Sequence, residues 1–409
     1  MNVVIITHIF WPESEDFRNR ALAEELVRRG HRVTVIAPFP NYPLGRIYDG
    51  YRMRWRQWEE LEGIRVLRLP LYPDHSSSGF RRALNYGSFT LAASLLGPLL
   101  VRRPDVIFVH ASPMTLGFPA AIFRLLYGTP ILLDVVDLWP DAVAGSGMTS
   151  SRLVLAAAGA IARFAYRVSS RIIALTEGFS VRLREAGISA ERITVIPPWA
   201  DRAEFHPSAP DLDFYREHGL QGKSCIMHAG NIGPYQDIAN VLAAAELLRD
   251  DDRLLFVFIG NGQQFELMKR RAEELRLDNV LFVGRVPRER LAGVLSQAAA
   301  LLVSMSDDPY LSINLPSKLA AYLAMERPLV AAAGGDVAAL MEKHRLGPVA
   351  EPGRPASLAA AVRELLAMSD GERRAAGERA GELFSGSFEK ELLRDRYIAI
   401  LEELAEARR

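Results

Sequence analysis

Short apolar runs and longer amphipathic runs alternate along the whole of this chain. In the first half the apolar runs are "VVIIT", "VTVIA", "IRVLRL", "DVIFV", "PILLDVV", "RIIAL" and "ITVIP". Between the first two, "FRNRALAEELVRRGH" sets Phe17, Ala21, Leu22 and Leu26 on one helical stripe and stops at Gly30. Short strands separated by helices predict a parallel sheet with right-handed crossovers, covered on both faces. The stretch "PPWADRAEFHPSAPD", 197–211, is rich in proline and polar residues and reads as a linker. A second series follows, "CIMHAG", "LLFVFIG", "VLFVG", "ALLVSM" and "PLVAAA", again alternating with amphipathic helices. The tail "FEKELLRDRYIAILEELAEARR" reads as one long helix, placed to cross back and brace the first domain. The pattern predicts an α/β protein of two doubly wound parallel-sheet, Rossmann-like domains facing a central cleft. Their bounds are 1–198 and 199–386, with the helix of about 387–409 packing back on the first. Ligands of such sheets sit beyond the carboxyl ends of the strands, where loops meet helix N-termini.

With 409 residues, 49% of them hydrophobic, the chain can bury a core in each domain. Basic and acidic residues balance at 49 each, so no nucleic acid or polyacidic ligand is indicated. One cysteine, Cys225, excludes a disulfide framework and fits a reducing compartment. The eight histidines are scattered and no cysteine pair exists, so no metal site is expected. The start, "MNVVIITHIFWPE", lacks a basic n-region and breaks at Trp11-Pro12, which makes it a first strand rather than a signal peptide. The longest apolar stretch, "GSFTLAASLLGPLLV" at 87–101, lies between Arg81-Arg82 and Arg102-Arg103 and is too short to span a bilayer. Two readings stay open for it: a core-facing helix, or a basic-flanked helix on an anionic membrane surface through 81–103.

Candidate chemistry gathers at the predicted strand ends. In "HAGNIGPYQDIANVL", Gly230 and Gly233 bracket a turn before a helix that Asp237 can start. Such glycines either form a plain turn or let backbone N–H groups approach an oxyanion. A third glycine at dinucleotide-fingerprint spacing is missing. "FIGNGQQFELM" repeats the arrangement with Gly260 and Gly262, and "FVGRVPRERL" with Gly284 and Arg285. In "DDPYLSINLPSKLAAYLAMERPLV" a helix starts at Pro316 or Ser317, and Lys318 adds a full charge where the helix dipole disfavours a cation. That placement makes sense if an anion, a diphosphate above all, normally occupies the spot; the alternative is a solvated surface lysine. In the first domain His110 stands just beyond a strand and faces the same cleft, or else satisfies backbone groups. "PILLDVVDLWPDAV" supplies Asp134, Asp137 and Asp141. Asp134, flanked by apolar residues, reads as structural, whereas Asp137 can hold a hydroxyl or orient a catalytic group.

The ordered motifs "RGHRVTVIAPFPNYPLGRIYDGY", "DVVDLWPDAV", "LTEGFSVRLREAGISAERITVIPPWAD", "HAGNIG", "FIGNGQQFELM", "NVLFVGRVPRERL" and "LPSKLAAYLAMERPLV" resemble glycosyltransferase family 4, retaining enzymes of the GT-B fold. The match runs nearly end to end, and the tryptophan–proline–aspartate run and the "PSK" helix look like the bacterial surface-polysaccharide branch, with its L-fucosamine transferases of O-antigen and colanic acid assembly. The resemblance implies metal-independent transfer, with anomeric retention and no cofactor, from a nucleotide-sugar, usually UDP-linked. The acceptor would be a polyprenyl-diphosphate-linked sugar or glycan, and the place the cytoplasm, at the inner face of the plasma membrane. It places Gly230, Asn231, Gly233, Gln236 and Gly262 near the diphosphate, Arg285 and Val286 at the base, and Pro316, Ser317 and Lys318 closing on the phosphates. It sets His110 against the donor sugar near the reacting centre, and the expected catalytic residues are then His110, Lys318 and, from its own position, Asp137.

The chain also departs from the family. Its usual pair of glutamates, seven residues apart, corresponds to Ile313 and Ala321, which removes the expected ribose contact. The family's arginine and lysine in the first loop of the second domain are replaced by Asn231 and Gln236, so the demand on Lys318 and Arg285 rises. Glu15 and Asp16 take the place of a glycine pair and, with Arg18, face a sugar acceptor or merely solvent. Two other functions stay open on the same fold: a nucleotide-sugar epimerase or hydrolase, and a non-catalytic nucleotide-sugar-binding subunit.

Overall fold

The computed structural model describes residues 1–13, 17–76, 78–101, 103–145, 149 and 151–408, and of Phe17 the backbone alone. Glu15, Asp16 and Arg102 lie outside the described residues, as does the Phe17 side chain. The chain forms two compact units, Met1–Ile196 with Arg394–Arg409, and Pro197–Leu393. These bounds fall at 196 and 393 rather than 198 and 386.

In the first unit the elements run β1 (Asn2–Ile6), α1 (Phe17–Arg28), β2 (Arg32–Pro38), β3 (Gln57–Leu61), β4 (Ile64–Leu69), α2 (Gly79–Leu100) and β5 (Val106–His110). They continue through α3 (Gly117–Tyr127), β6 (Ile131–Val135), α4 (Asp141–Gly145), α5 (Arg152–Val168), β7 (Arg171–Ala174), α6 (Glu177–Glu185) and β8 (Ile193–Val195). The eight strands are ordered β3-β4-β2-β1-β5-β6-β7-β8. Strands β1, β5 and β6 are buried along almost their whole length, as helices on both faces require. The purely parallel expectation fails at one edge: β3, "QWEEL", pairs antiparallel with β4. Its polar alternation lacks an apolar run, and it exists because Glu62 and Gly63 both adopt positive φ in the connecting turn.

In the second unit the elements are α7 (Leu212–Glu217), β9 (Ser224–Ala229), α8 (Ile238–Glu246), β10 (Leu254–Ile259), α9 (Phe265–Glu274), β11 (Val280–Gly284), α10 (Arg288–Leu295) and β12 (Ala300–Ser304). Then come α11 (Lys318–Ala324), β13 (Leu329–Ala332), α12 (Gly335–His344), β14 (Val349–Ala350), α13 (Pro355–Ala367) and α14 (Asp370–Ser387), with α15 (Lys390–Glu406) last. This sheet is wholly parallel, ordered β11-β10-β9-β12-β13-β14. Part of the expected linker is anchored: Ala200 is buried and bonds through its backbone to Phe388 and Lys390. Helix α15 buries Tyr397, Ile398 and Leu401 in the first unit.

Both sheets reverse strand order, at β1/β5 and at β9/β12. In doubly wound folds such a switch point opens a crevice at the carboxyl ends. His110 ends β5, the Gly230 turn follows β9, and the loop to Lys318 follows β12.

Candidate functional site: a buried amine and an oriented histidine

In the second unit Lys318 is the first residue of α11, and its side chain turns inward. Its Nζ lies 2.9 Å from Nε2 of His228, a fully buried residue in β9. A Cβ added to Gly230 would stand 3.5 Å from the same Nζ, so the amine covers the turn after that strand. Burial pulls the Lys318 ammonium down to about 7, and no carboxylate acts on it among the described residues. Burial, with the Lys318 charge second, holds His228 near 3. His228 is therefore neutral, and its Nε2 lies between the amine and, at 3.3 Å, the Asn231 carbonyl. Tyr322, one turn further along α11 and fully buried, accepts from Ala229 N (2.6 Å) and donates to Ala229 O (3.0 Å), which fixes α11 against the end of β9. Charges in protein interiors are ordinarily paired. A half-charged amine with no counter-ion, at the mouth of a glycine turn, is an arrangement that an anion completes.

The glycine loops themselves serve another purpose. The amides of Gly230, Gly233, Gly260 and Gly262 donate to Ile259 O, Gln236 Oε1, Gly284 O and Asn261 Oδ1. A Cβ at Gly260 would meet Gly230 O at 2.0 Å, and one at Gly262 would meet Ile232 O at 2.4 Å. These glycines allow neighbouring turns to touch backbone to backbone. Of this rim, the backbone N–H of Asn231 takes no partner among the described residues. Gln236 is spent inside the turn, accepting from Gly233 N (3.0 Å) and Asn231 Nδ2 (3.3 Å). Arg285 and Ser317 are exposed, while Val286 and Pro316 are half-buried. At the two missing glutamates, Ile313 closes a short 3-10 turn and Ala321 sits half-buried on α11 against the core.

In the first unit, His110 Nδ1 lies 3.0 Å from Oδ2 of the fully buried Asp134. Asp134 also accepts from Arg18 Nη1 at 3.0 and 3.2 Å and from the Tyr397 hydroxyl at 2.8 Å. Burial alone would push its carboxyl up, but the Arg18 charge and the His110 and Tyr397 hydrogen bonds outweigh it and hold it near 2. An ionised carboxylate only accepts, so Nδ1 of His110 carries the proton and Nε2 is the edge left for a ligand. Asp134, expected to be structural, is thus the carboxylate that lies against His110. Asp137 instead accepts from Ser112 Oγ at 3.3 Å. Arg18, expected on the acceptor side, donates through Nη1 to Asp134 and Tyr397.

Sequence reasoning passed over His228, Tyr322 and Tyr397. A polar side chain inside an otherwise apolar strand, as in "CIMHAG", was the available signal for the first.

Comparison with known proteins bears on both units. Residues 17–199 match the model for the glycosyl transferase 4-like domain and residues 213–382 that for glycosyl transferases group 1. The chain is 29% identical over 313 residues to WcaI of Escherichia coli K12, which carries the name of a colanic acid biosynthesis glycosyl transferase. That match covers 74% of this chain and 76% of the relative. An alpha-D-kanosaminyltransferase of Streptomyces kanamyceticus is 26% identical, over 85% of this chain and 89% of its own. Among solved structures, Anabaena HepE in complex with UDP superposes with a TM-score of 0.73 over 98% of this chain and all of that one, at 14% identity.

Proposed function

The chain belongs to the family 4 glycosyltransferases of GT-B fold, and from that membership we propose that it moves a sugar from a UDP-linked donor, with anomeric retention, to a lipid-linked or glycan acceptor in surface polysaccharide assembly. The observation that carries this reading is Lys318, an amine held beside a neutral histidine without a carboxylate. The donor diphosphate supplies the missing counter-ion. As the glycosidic bond breaks, charge grows on the departing diphosphate, and a preorganised ammonium stabilises that growth more than it stabilises the ground state. The Asn231 amide, Ser317 and Arg285 complete the donor contacts, and no metal is called on. His110, its tautomer fixed by Asp134, positions the donor ring through Nε2. The acceptor hydroxyl attacks the anomeric carbon from the face the diphosphate leaves, and its proton passes to a phosphate oxygen, so no protein nucleophile is needed. Isothermal titration with UDP-sugars tests the donor class: at least one binds in the micromolar range, and binding by none would remove the reading.

We further propose that the acceptor is met at the inner membrane face. No described helix is long and apolar enough to cross a membrane, yet α2 has two unlike faces. Asn85, Phe89, Ala93 and Gly97 are buried, whereas Phe80, Leu91, Leu95 and Leu99 are each more than half exposed. The buried face fits the core-facing reading of 81–103, and the exposed apolar face supports the membrane-surface reading. An apolar groove of about 600 Å3 runs between α2, α3 and α5, floored by Phe118 stacked on Phe164. The three helices hold Arg81, Arg82, Arg124, Arg152, Arg163 and Arg167 and not one Asp or Glu, in a chain whose total charge is zero. Basic rims around an apolar face fit an anionic bilayer. In flotation with phosphatidylglycerol-containing vesicles, the wild type is expected to float. The Leu95→Glu/Leu99→Glu variant is expected to lose at least about tenfold in affinity, since each glutamate would carry its charge into lipid. Equal flotation of the two would refute this face.

A further inference from the structure

A second concavity, of about 470 Å3, opens in the first unit between the segment after β6, α5 and α6. Its lining includes Trp139, Asp141, Arg163, Tyr166, Arg182 and Glu185. Tyr166 is 3% exposed, and its hydroxyl has no hydrogen-bond partner among the described residues. Burial, and then the Asp141 charge, push that hydroxyl above its ordinary ionisation range, so it stays O–H. Asp141 thus lies near enough to act on the hydroxyl through its charge, yet no hydrogen bond joins the two.

Around this gap the charges balance. Arg182 lies 3.5 Å from Asp141 and 3.4 Å from Glu185, and Arg163 flanks the buried Gly159, where a Cβ would stand 3.3 Å from Nη1 and 3.6 Å from Pro140 Cδ. Two guanidinium groups against two carboxylates give no net preference for a dianion, which argues against a phosphate or nucleotide. Trp139 adds a half-buried aromatic wall. An indole surface, carboxylate and guanidinium groups and a buried unsatisfied hydroxyl are what a ring with an apolar C–H face and several hydroxyls can satisfy together. The segment also belongs to the reactive end of the sheet, because Asp137 accepts from Ser112, two residues beyond His110.

We infer that this pocket binds a neutral saccharide unit, with one ring hydroxyl bridging Tyr166 and Asp141 and the ring lying on Trp139. That the saccharide belongs to the acceptor rests on the sugar-transfer reading; the binding does not.

The test uses the full chain without any donor, with the methyl glycosides of glucose, galactose and N-acetylglucosamine as probes, followed by saturation-transfer NMR and titration. At least one is expected to bind in the millimolar range. Tyr166→Phe is expected to weaken it about fivefold or more by removing one buried hydrogen bond, and Trp139→Ala more strongly. Thermal unfolding of Tyr166→Phe should be unchanged or shifted upward, since an unsatisfied hydroxyl has been removed, and UDP-sugar binding should stay as in the wild type. Failure of every probe to bind the wild type, or equal binding by Tyr166→Phe, would overturn the inference. Equal binding together with a higher Tm would show a hydroxyl that merely holds a water. A protein that binds glycosides but no UDP-sugar would keep the pocket and remove the transferase reading.

Discussion

Lys318→Ala is expected to lower turnover of the UDP-sugar by about 10²–10³-fold, the usual cost of losing one preorganised donor to developing negative charge. Folding should survive, because the ammonium has no carboxylate to leave behind. Its removal relieves a buried charge instead of creating one. The Lys318→Met variant sharpens the contrast. It keeps the bulk beside Gly230 and is expected to unfold at a higher temperature than the wild type while remaining nearly inactive. The sign follows from the depressed value: the folded amine releases its proton near 7, the unfolded one near 10.5, so the wild type loses stability as pH falls between those values. Methionine removes that loss. A stabler, inactive protein is the signature of a lysine kept for a ligand; kinetics like those of the wild type would end its assignment to the diphosphate.

Asp134→Asn is expected to be damaging in two ways at once. Its amide can still lie against His110, but it no longer forces the proton onto Nδ1, so the edge offered to the sugar is no longer fixed. Turnover should fall by about 10²-fold or more, the range of a positioned acid–base group. The same change takes the Asp134 carboxylate from the largely buried Arg18 guanidinium, and breaking such a pair costs about 3–5 kcal/mol. Because the Asp134 carboxyl is held near 2, its stabilising effect is full above pH of roughly 4 and is lost as pH falls towards 2. The acid limb of the wild-type stability profile should therefore flatten in the variant, measured by thermal unfolding from pH 2 to 6. Asp137→Asn, at a carboxylate that accepts from Ser112 Oγ, should cost far less in both respects. The reverse order would return the orienting role to Asp137.

The fold was legible because both sheets are built from apolar strands of ordinary length, and "LLFVFIG" cannot be mistaken for a surface segment. What escaped was β3, whose "QWEEL" carries polar residues on both faces and is defined by its turn. The site was legible in part. Lys318 stood out because a cation at a helix start opposes the dipole, and His110 because it ends a strand. Their supports did not stand out, for a physical reason. Asp134 and His228 look like defects in apolar strands until Arg18, Tyr397 and Lys318 are brought to them from distant parts of the chain. Tyr397 comes from the C-terminal helix, 263 residues from Asp134, a separation that no local pattern encodes. The glycine loops are ambiguous in sequence, since a glycine needed to let two turns touch, as Gly260 and Gly262 do, has the same spelling as one needed to let a phosphate approach.

The central claim is that the donor's diphosphate completes the charge of one buried amine. Calorimetric titration of a UDP-sugar at pH 8, repeated in buffers of differing ionisation heat, reads this directly. Free Lys318 is mostly neutral there and the bound form must be charged, so close to one proton should be taken up per ligand, with affinity weakening by up to about tenfold for each further pH unit. The Lys318→Met variant should show no such uptake. Binding of the donor by the wild type with no proton taken up, or with the same uptake in the variant, would contradict the account.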